Sequence, residues 1–241
     1  MTAARSPLWK EIAATLRAEI ARGHFPPGAR LPTEADLSAR FGVNRHTVRH
    51  ALADLAAAGL VRSRRGAGVF VAASPTDYPL GRRVRFHQAV TAAGRIPSRS
   101  FTRLDTRPAD AAEAEALQLA PGDPVHVAEG VSRADGQPVA AFRSVFPADR
   151  LPGLPEALRD TASITAALAA CGVPDYTRAS TRLTAKAAKP MLALQLDLPE
   201  GAPVLRSVAI NLDASGRPVE YGITWFAGDR VTLTVGPGET G

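Results

Sequence analysis

Cysteine and long apolar runs are the scarcest features of this sequence. Its 241 residues include one cysteine, Cys171, which excludes an internal disulfide and a zinc cage built from cysteines and is compatible with a reducing compartment. No apolar stretch approaches the roughly 18 residues needed to cross a bilayer, and the first residues lack the continuous apolar core of a signal peptide. These absences predict a cytoplasmic protein that does not enter a membrane.

Motifs for catalysis and for cofactor binding are missing as well. The sequence contains no nucleophile elbow, no Walker loop and no Gly-rich dinucleotide fingerprint, because Gly66-Ala67-Gly68 is too short to count as one. His46 and His50 have the spacing of a helical metal pair, but no third ligand stands at a companion spacing. We therefore expect neither an enzyme nor a bound metal or cofactor.

Positive charge is in excess, and the excess is confined to one part of the chain. The formal net charge of the whole sequence is +6. Residues 1–72 contain eleven Lys and Arg against five Asp and Glu, whereas residues 73–241 contain eighteen of each. Ten of the eleven cations are Arg, whose planar guanidinium suits phosphates and guanine edges. This distribution favours a nucleic-acid partner for the first part of a chain that is long enough for two domains.

The first seventy residues show the pattern of three helices. Apolar residues recur at every fourth position from Leu8 to Ile20, which predicts a first helix. A short second helix is predicted from Glu34 to Phe41 with Thr33 as its N-cap. A third is predicted from Arg45 to about Ala58 with Asn44 as its N-cap. A short helix, a tight turn and a further helix are typical of a helix-turn-helix.

The third predicted helix has two unlike faces. Its apolar face carries Val48, Leu52 and Leu55. Its other face presents Arg45, His46 and Arg49 from the N-terminal half of the helix. In a helix-turn-helix protein this end of the recognition helix enters the major groove of DNA, so we predict that these three side chains reach DNA.

A glycine-rich turn follows the third helix. Two short strand-like stretches flank Gly66 and Gly68, which predicts a β-hairpin wing whose glycines permit positive φ and a close approach to DNA. Arg64 and Arg65 lie beside this turn. They could be only a solvated charged run, but their position next to the recognition helix favours contact with DNA.

The run from Pro7 to Val71 resembles the winged-helix domain of GntR-type bacterial repressors along its whole length. The resemblance implies that four residues of the third helix face bases and phosphates, namely Arg45, His46, Thr47 and Arg49. It also implies that Thr33 and Glu34 open the second helix against the DNA backbone. In the wing, Arg65 and Gly66 would reach the minor groove.

Residues 73–80, ASPTDYPL, contain two prolines and no helical or strand pattern, which predicts an interdomain linker. The chain would then consist of a DNA-binding domain over 1–72 and a second domain over 81–241. Two segments of this second domain, beginning at Ala116 and Ala193, look like copies of each other. Each reads as a helix end, a Pro-Val strand, a Gly turn and a second Pro-Val strand. The prediction is an α+β domain with a mainly antiparallel sheet, helices on one face and an internal repeat.

This layout resembles the effector-binding (UTRA) domain of the HutC-type subgroup of the GntR family, whose fold is shared with chorismate lyase. The resemblance covers essentially all of residues 81–241. Segments such as RSVFPADRLPGL and VEYGITWFAGDRVTL look most like PhnF-type regulators of phosphonate-utilisation genes. The resemblance thus implies a domain that binds a small molecule.

Four residues are candidates for binding an anionic effector. Ser163 and Thr165 stand at the start of an Ala-rich helix that is predicted to run to Ala170, where hydroxyls and free backbone N–H groups are available. Arg143 and Arg182 could add bidentate pairing to a phosphonate, a phosphate or a carboxylate.

Five further residues complete the predicted effector site. Glu220 and Tyr221, in the second strand of the second copy, could bond an amine or a hydroxyl of the ligand. By family analogy, Arg85, Phe86 and His87 lie on the segment that enters the pocket from the linker, a route for coupling the ligand to DNA geometry.

The sequence therefore predicts a ligand-responsive repressor that binds a palindromic operator as a homodimer. Two alternatives stay open at this point. The lyase-like fold could carry an enzyme, although fold likeness alone does not establish catalysis. The chain could also be an architectural DNA-binding protein that responds to no ligand.

Overall fold

The computed structural model describes residues 7–64, 66–72, 75–83 and 85–236. The chain divides between residues 74 and 75 into two compact units. Each unit has its own hydrophobic core, and each is described by itself below.

The N-terminal unit is a three-helix domain with a β-hairpin. Its elements are α1 (Leu8–Ala21), α2 (Glu34–Phe41), α3 (Arg45–Ala57), β1 (Val61–Arg64) and β2 (Gly68–Val71). The three predicted helices are confirmed, α2 with the predicted bounds and α3 with an end one residue earlier. The core is formed by Ile12 and Leu16 of α1, Leu37 of α2, and Val48 and Leu55 of α3. The antiparallel pair of β1 and β2 forms the predicted wing.

The C-terminal unit is a mixed α/β domain around one large sheet. Its elements in chain order are β3 (Thr76–Pro79), α4 (Phe86–Ala92), β4 (Pro97–Pro108), α5 (Ala111–Leu117), β5 (Pro124–Ala134), β6 (Gln137–Pro147), α6 (Leu154–Thr161), α7 (Ile164–Ala170), β7 (Tyr176–Ala187), α8 (Pro190–Leu196), β8 (Pro203–Asp213), β9 (Pro218–Ala227) and β10 (Val231–Thr234). Six strands form the antiparallel sheet in the order β4-β5-β6-β9-β8-β7.

The predicted internal repeat is visible in this strand order. One copy is β4-α5-β5-β6 and the other is β7-α8-β8-β9, and the two copies meet where β6 pairs with β9. Each copy therefore supplies half of the sheet. The predicted α+β fold with an antiparallel sheet is confirmed.

Helices cover both faces of the sheet, so the prediction that they lie on one face is wrong. On one side α5 packs with Val125 and Val145, and α8 packs with Val204. On the other side α6 and α7 pack against Phe142 and Phe146. Burial on both faces explains why β5 and β6 are apolar at successive positions instead of alternating. We call the side that carries Phe142 the front face and the other side the back face.

The predicted linker contains a strand that the sequence pattern did not indicate. Thr76–Pro79 forms β3, which pairs in parallel with β10. Thr76 and Tyr78 are buried while Asp77 is exposed, the alternation of a half-covered strand. Its partner lies some 150 residues further along the chain, and two prolines in ASPTDYPL suggested a loop, so local sequence could not reveal the pairing. Residues 73 and 74 of the predicted linker lie outside the described residues.

Candidate functional site

The start of the recognition helix α3 is held by side-chain caps and a tight turn. Asn44 Oδ1 accepts a hydrogen bond from the backbone N–H of Thr47 at 2.9 Å. The preceding α2 begins with a capping box, in which Thr33 Oγ1 accepts from the backbone N–H of Asp36 and Asp36 accepts from the backbone N–H of Thr33. Gly42 ends α2 with φ of 63°, a left-handed conformation that suits glycine. Local sequence alone therefore positions the two helices of the motif.

The structure places the basic residues of α3 on its exposed face. Arg45, His46 and Arg49 are exposed, whereas Val48 and Leu52 on the other side are buried. The first turn of α3 can therefore be presented to a duplex without disturbing the core. This arrangement can place guanidinium and imidazole donors against base edges and phosphates.

Two predicted DNA contacts of this surface are paired with each other. Arg49 Nε donates to Glu34 Oε2 at 2.8 Å, and 68% of the Arg49 side chain remains exposed. An exposed pair of this kind contributes little to stability. Glu34 therefore orients Arg49 across the two helices while leaving most of the guanidinium accessible. Thr47 is half-buried and donates its hydroxyl to Asn44, which assigns it a capping contact in the free protein.

A further arginine, Arg30, lies beside a glycine of the wing. Gly66 has φ of 74°, and Gly68 has φ of 108°. A Cβ at Gly68 would lie 2.8 Å from Arg30 Nε, so a larger residue there would displace the end of the Arg30 side chain, and the φ of 108° itself favours glycine. Sequence reasoning missed Arg30, which a bridge between Arg30 and Phe70 brings to the wing. Arg64 is the last residue of β1, and the predicted contact Arg65 lies outside the described residues.

His50, the second member of the histidine spacing noted above, makes an aromatic contact. Its ring stacks on Trp9 of α1 with centroids 4.1 Å apart. Among the residues that the structure describes, no group of three or more His, Cys, Asp or Glu is arranged to hold a metal ion.

The C-terminal unit contains a cavity of about 80 Å³ on the front face of the sheet. That volume has room for several water molecules or a small polar group. The sheet supplies its floor through Phe142 and Ser144 of β6, Glu220 of β9 and Asn211 of β8, and the first turns of α4 and α7 supply part of its wall.

Five of the nine predicted effector residues line this cavity. They are Phe86, His87, Ser163, Thr165 and Glu220. Ser163 Oγ caps α7 by accepting from the backbone N–H of Ala166, and Thr165 Oγ1 hydrogen-bonds the Tyr176 hydroxyl at 2.9 Å. Burial and the charge of Arg99 lower the pKa of His87, which favours its neutral form.

Arg85 lies behind the cavity wall. Its guanidinium stands 4.0 Å from the centroid of the Tyr176 ring and donates to Asp175 Oδ1 at 2.7 Å. Tyr176 itself lines the cavity, and burial is the main cause that raises the pKa of its hydroxyl. Arg85 therefore contacts the cavity through Tyr176, which connects the start of α4 to the site.

Three predicted effector residues do not reach the cavity. Arg143 and Tyr221 point to the back face, because their neighbours Ser144 and Glu220 face the front and side chains alternate along a strand. Arg182 is exposed on β7. A β-bulge between Arg178 and Ser180 reverses the alternation on this strand, so Arg178 faces the cavity and Arg182 does not.

Arg143 belongs instead to a buried charge network on the back face. Its Nη2 lies 2.6 Å from Glu113 Oε1, and Arg107 holds both oxygens of the same carboxylate at 2.7 Å. Burial alone would raise the pKa of Glu113, but hydrogen bonds from Arg107 and the Asp110 N–H, with the charges of Arg107 and Arg143, lower it. The network fixes the start of α5 against the sheet.

Two arginines that the sequence reasoning missed line the cavity. Arg99 extends from β4 and Arg178 from β7, the two edge strands of the sheet. Arg99 Nε donates to Ser132 Oγ at 3.3 Å, and its guanidinium lies 4.5 Å from the centroid of the Phe142 ring. Arg178 Nε is buried and has no hydrogen-bond partner among the residues that the structure describes. Neither arginine lies in a recognisable motif, so only the strand pairing could have located them.

The electrostatics of the cavity are dominated by these cations and one carboxylate. Glu220 is buried, and its two oxygens accept from the Ser144 hydroxyl at 2.6 Å and from Asn211 Nδ2 at 2.7 Å. Burial lowers the pKa of Arg99, although the neighbouring Tyr78, Glu220 and Tyr176 oppose the shift. Because an arginine side chain is not deprotonated in proteins, Arg99 stays charged at neutral pH. The site can thus offer guanidinium donors to an anion.

Comparisons with known proteins define the class. The model of the family "Bacterial regulatory proteins, gntR family" matches residues 8–71, and that of the UTRA domain matches residues 92–232. The chain belongs to the GntR family of transcription regulators and carries a UTRA effector domain. No helix among the described residues is long and apolar enough to cross a membrane.

Relatives of known name sharpen this assignment. The chain is 39% identical to the uncharacterized HTH-type transcriptional regulator RB1450 of Rhizobium meliloti over 95% of this chain and 94% of that protein. It is 30% identical to the HTH-type transcriptional repressor PhnF of Mycolicibacterium smegmatis over 86% of this chain and 84% of that protein. The crystal structure of PhnF from Mycobacterium smegmatis matches with a TM-score of 0.64 and 28% identity, covering 93% of this chain and 98% of that one. These relatives are transcription regulators, which decides against the enzyme alternative.

Proposed function

We propose that this regulator is a repressor whose DNA binding is controlled by a small anionic metabolite, such as a phosphonate or a phosphate ester. The observation that carries the proposal is the charge of the cavity. Arg99 and Arg178 both line it, and no carboxylate of the described residues lies within 4 Å of either guanidinium. Both arginines are only partly exposed, and charges withdrawn from water are normally paired, so a ligand that supplies the missing negative charge is favoured.

The remaining lining suits a small polar ligand. Thr165, Tyr176 and Ser207 line the same cavity, and their hydroxyl groups can donate to further oxygens of a tetrahedral anion. Phosphonate and phosphate oxygens accept several donors at once, and arginine binds them in a bidentate manner. The likeness to the repressor PhnF supports the repressor part of the proposal.

On the DNA side, we propose that Arg45, His46 and Arg49 of α3 read the major groove, while Thr33 and Arg30 approach the backbone. The regulator acts in the cytoplasm as a homodimer, because each chain carries one recognition helix and an operator with two half-sites requires two. The operator is therefore a palindrome with half-sites about one helical turn apart.

Two measurements test the proposal. In a thermal-shift screen of phosphonates, phosphate esters, carboxylates and amines, anions should raise the melting temperature of the protein and simple amines should not. Anisotropy with DNA from upstream of its own and neighbouring genes should show salt-sensitive binding in the nanomolar range. Equal affinity for random DNA would overturn the regulatory function. Binding that no metabolite alters would favour an architectural protein instead.

A further inference from the structure

We infer that the effector is dipolar, with an anionic group held by Arg99 and Arg178 and an ammonium group held by Glu220. This inference rests on the proposed function, because it names the class of ligand that the same cavity takes. It goes beyond a simple anion by assigning a second, oppositely charged end to the ligand.

The carboxylate of Glu220 is the first observation. Its side chain is buried, and both of its oxygens accept hydrogen bonds from neutral donors, Ser144 and Asn211. Acceptance at both oxygens is the pattern of an ionised carboxylate. Among the described residues, no Lys, Arg or His nitrogen lies within 4 Å of these oxygens. Glu220 is thus a buried negative charge that no cation of the described residues contacts, a costly arrangement in a free protein.

The second observation is that the opposite charges of the cavity do not pair with one another. Arg178 pairs across the sheet with Asn211, the residue that donates to Glu220. Within the described part of the chain, however, the buried Arg178 Nε has no hydrogen-bond partner. Arg99 is held by Ser132 and by the Phe142 ring. The sheet therefore keeps the cations and the anion apart around one space.

The placement of these groups on the sheet explains their separation. The arginines extend from the two edge strands β4 and β7, whereas Glu220 stands on the central strand β9. The hydrogen bonds of Glu220 to β6 and β8 fix it from both sides. A ligand with one charge would leave either the arginines or the carboxylate without a partner, while a dipolar ligand would pair with both.

A purely anionic ligand also meets a direct penalty from Glu220. Like charges in a site of low dielectric repel each other, and an ammonium group on the ligand removes that repulsion and adds charge-assisted hydrogen bonds. A hydroxyl at the same place could donate a hydrogen bond to the carboxylate but would bring no positive charge to offset it. The distinction between ammonium, hydroxyl and methyl is therefore the property to measure.

The test uses three phosphonates of nearly equal size that differ only in their terminal group. They are 2-aminoethylphosphonate, 2-hydroxyethylphosphonate and propylphosphonate, with O-phosphoethanolamine added to compare a phosphate ester with a phosphonate. Calorimetric titration of the full-length protein at one pH should give an affinity for 2-aminoethylphosphonate that is at least about tenfold higher than for propylphosphonate. The hydroxyl compound should fall between them.

Two variants test which residue binds which end of the ligand. Glu220→Gln should reduce the ratio of the affinities for 2-aminoethylphosphonate and propylphosphonate to about one, while the affinity for propylphosphonate is retained. Arg178→Gln should weaken all of the phosphonates together and keep their ratio. If Glu220→Gln does not fold, the comparison of the three compounds in the unmodified protein still decides the question.

The results that would overturn the dipolar ligand differ from those that would overturn the anionic effector. Propylphosphonate binding as tightly as the amine, or a preference that persists in Glu220→Gln, would overturn the dipolar ligand and leave the anionic effector standing. No binding of any of the four compounds would overturn both for this class of ligand.

Discussion

The two units of this chain keep their functional side chains in opposite surroundings. In the N-terminal unit Arg45 and Arg49 are exposed and extend from one helix whose other face forms the core. In the C-terminal unit Arg178 and Glu220 reach their cavity from different strands of a sheet that is covered on both faces. In the N-terminal unit, the side chains that bind a partner differ from those that form the core. In the C-terminal unit, the side chains that bind the ligand are set within the packed sheet itself.

This difference predicts how substitutions behave. Removing an exposed arginine from α3 changes what the unit can bind without leaving a buried group unpaired. Removing a polar group from the sheet changes the partners of its neighbours, so that effector binding responds at the cavity and stability responds on the back face. The predictions below follow that contrast from the largest expected effect to the smallest.

The double substitution Arg45→Ala/Arg49→Ala should weaken operator binding by about 100-fold, because two arginine contacts to bases or phosphates are lost. The melting temperature and effector affinity should not change. Anisotropy with operator DNA and a thermal melt measure the two properties. Arg17→Ala/Arg22→Ala removes the same charge from α1 and its C-cap and should reduce affinity only modestly, so equal losses in the two variants would contradict the assignment of α3.

Arg178→Gln should weaken binding of an anionic effector by about 10- to 100-fold, since one charge-assisted hydrogen-bonding group is removed from the cavity. Operator affinity measured without effector should stay within a factor of two. Calorimetric titration with a phosphonate measures the effector affinity. Unchanged effector affinity would place the ligand elsewhere.

Arg143→Gln should lower the free energy of unfolding by about 1–3 kcal/mol, because the buried Glu113 loses one of its two cations. Effector affinity should remain that of the unmodified protein, since Arg143 faces the back of the sheet. Urea unfolding measures the stability. A variant that is as stable as the unmodified protein but no longer binds effector would show that Arg143 contacts the ligand.

The carboxylate of Glu113 should also contribute to the pH dependence of stability. Its pKa in the folded protein lies below the ordinary value of 4.5, so its contribution is fully present above that value and is lost as pH falls toward the folded pKa. Urea unfolding between pH 6 and pH 3 should show a steeper decline for the unmodified protein than for Glu113→Gln. Parallel declines would mean that the network does not lower this pKa.

Arg182→Gln is the matched control for both arginine variants of the sheet. Its side chain is exposed on β7, so stability should change by less than about 0.5 kcal/mol and effector affinity should not change. A marked loss of effector binding would show that the bulge on β7 does not turn this residue away from the site.

The sequence predicted the parts of the molecule that depend on local patterns. The bounds of α2, the caps at Thr33 and Asn44, and the repeated helix-hairpin unit all follow from residues close together in the chain. Glu220 was also identified, because its strand carries a copy of a pattern seen earlier in the chain.

The parts that depend on distant pairing could not be predicted in this way. Which of two neighbours faces a cavity is decided by strand register, and choosing both Glu220 and Tyr221 ignored the alternation of the strand. The bulge after Arg178 and the pairing of β3 with β10 have no local signature. Arg99 and Arg178 lie 79 residues apart, and only the assembled sheet brings them to one cavity.

The most direct test measures operator affinity with and without a saturating concentration of the tightest-binding phosphonate, in the unmodified protein and in Arg178→Gln at the same phosphonate concentration. We predict that the ligand changes operator affinity at least about fivefold in the unmodified protein, the usual lower range for coupled sites, and leaves it unchanged in the variant. No change in the unmodified protein, or the same change in both proteins, would contradict control of DNA binding through this cavity.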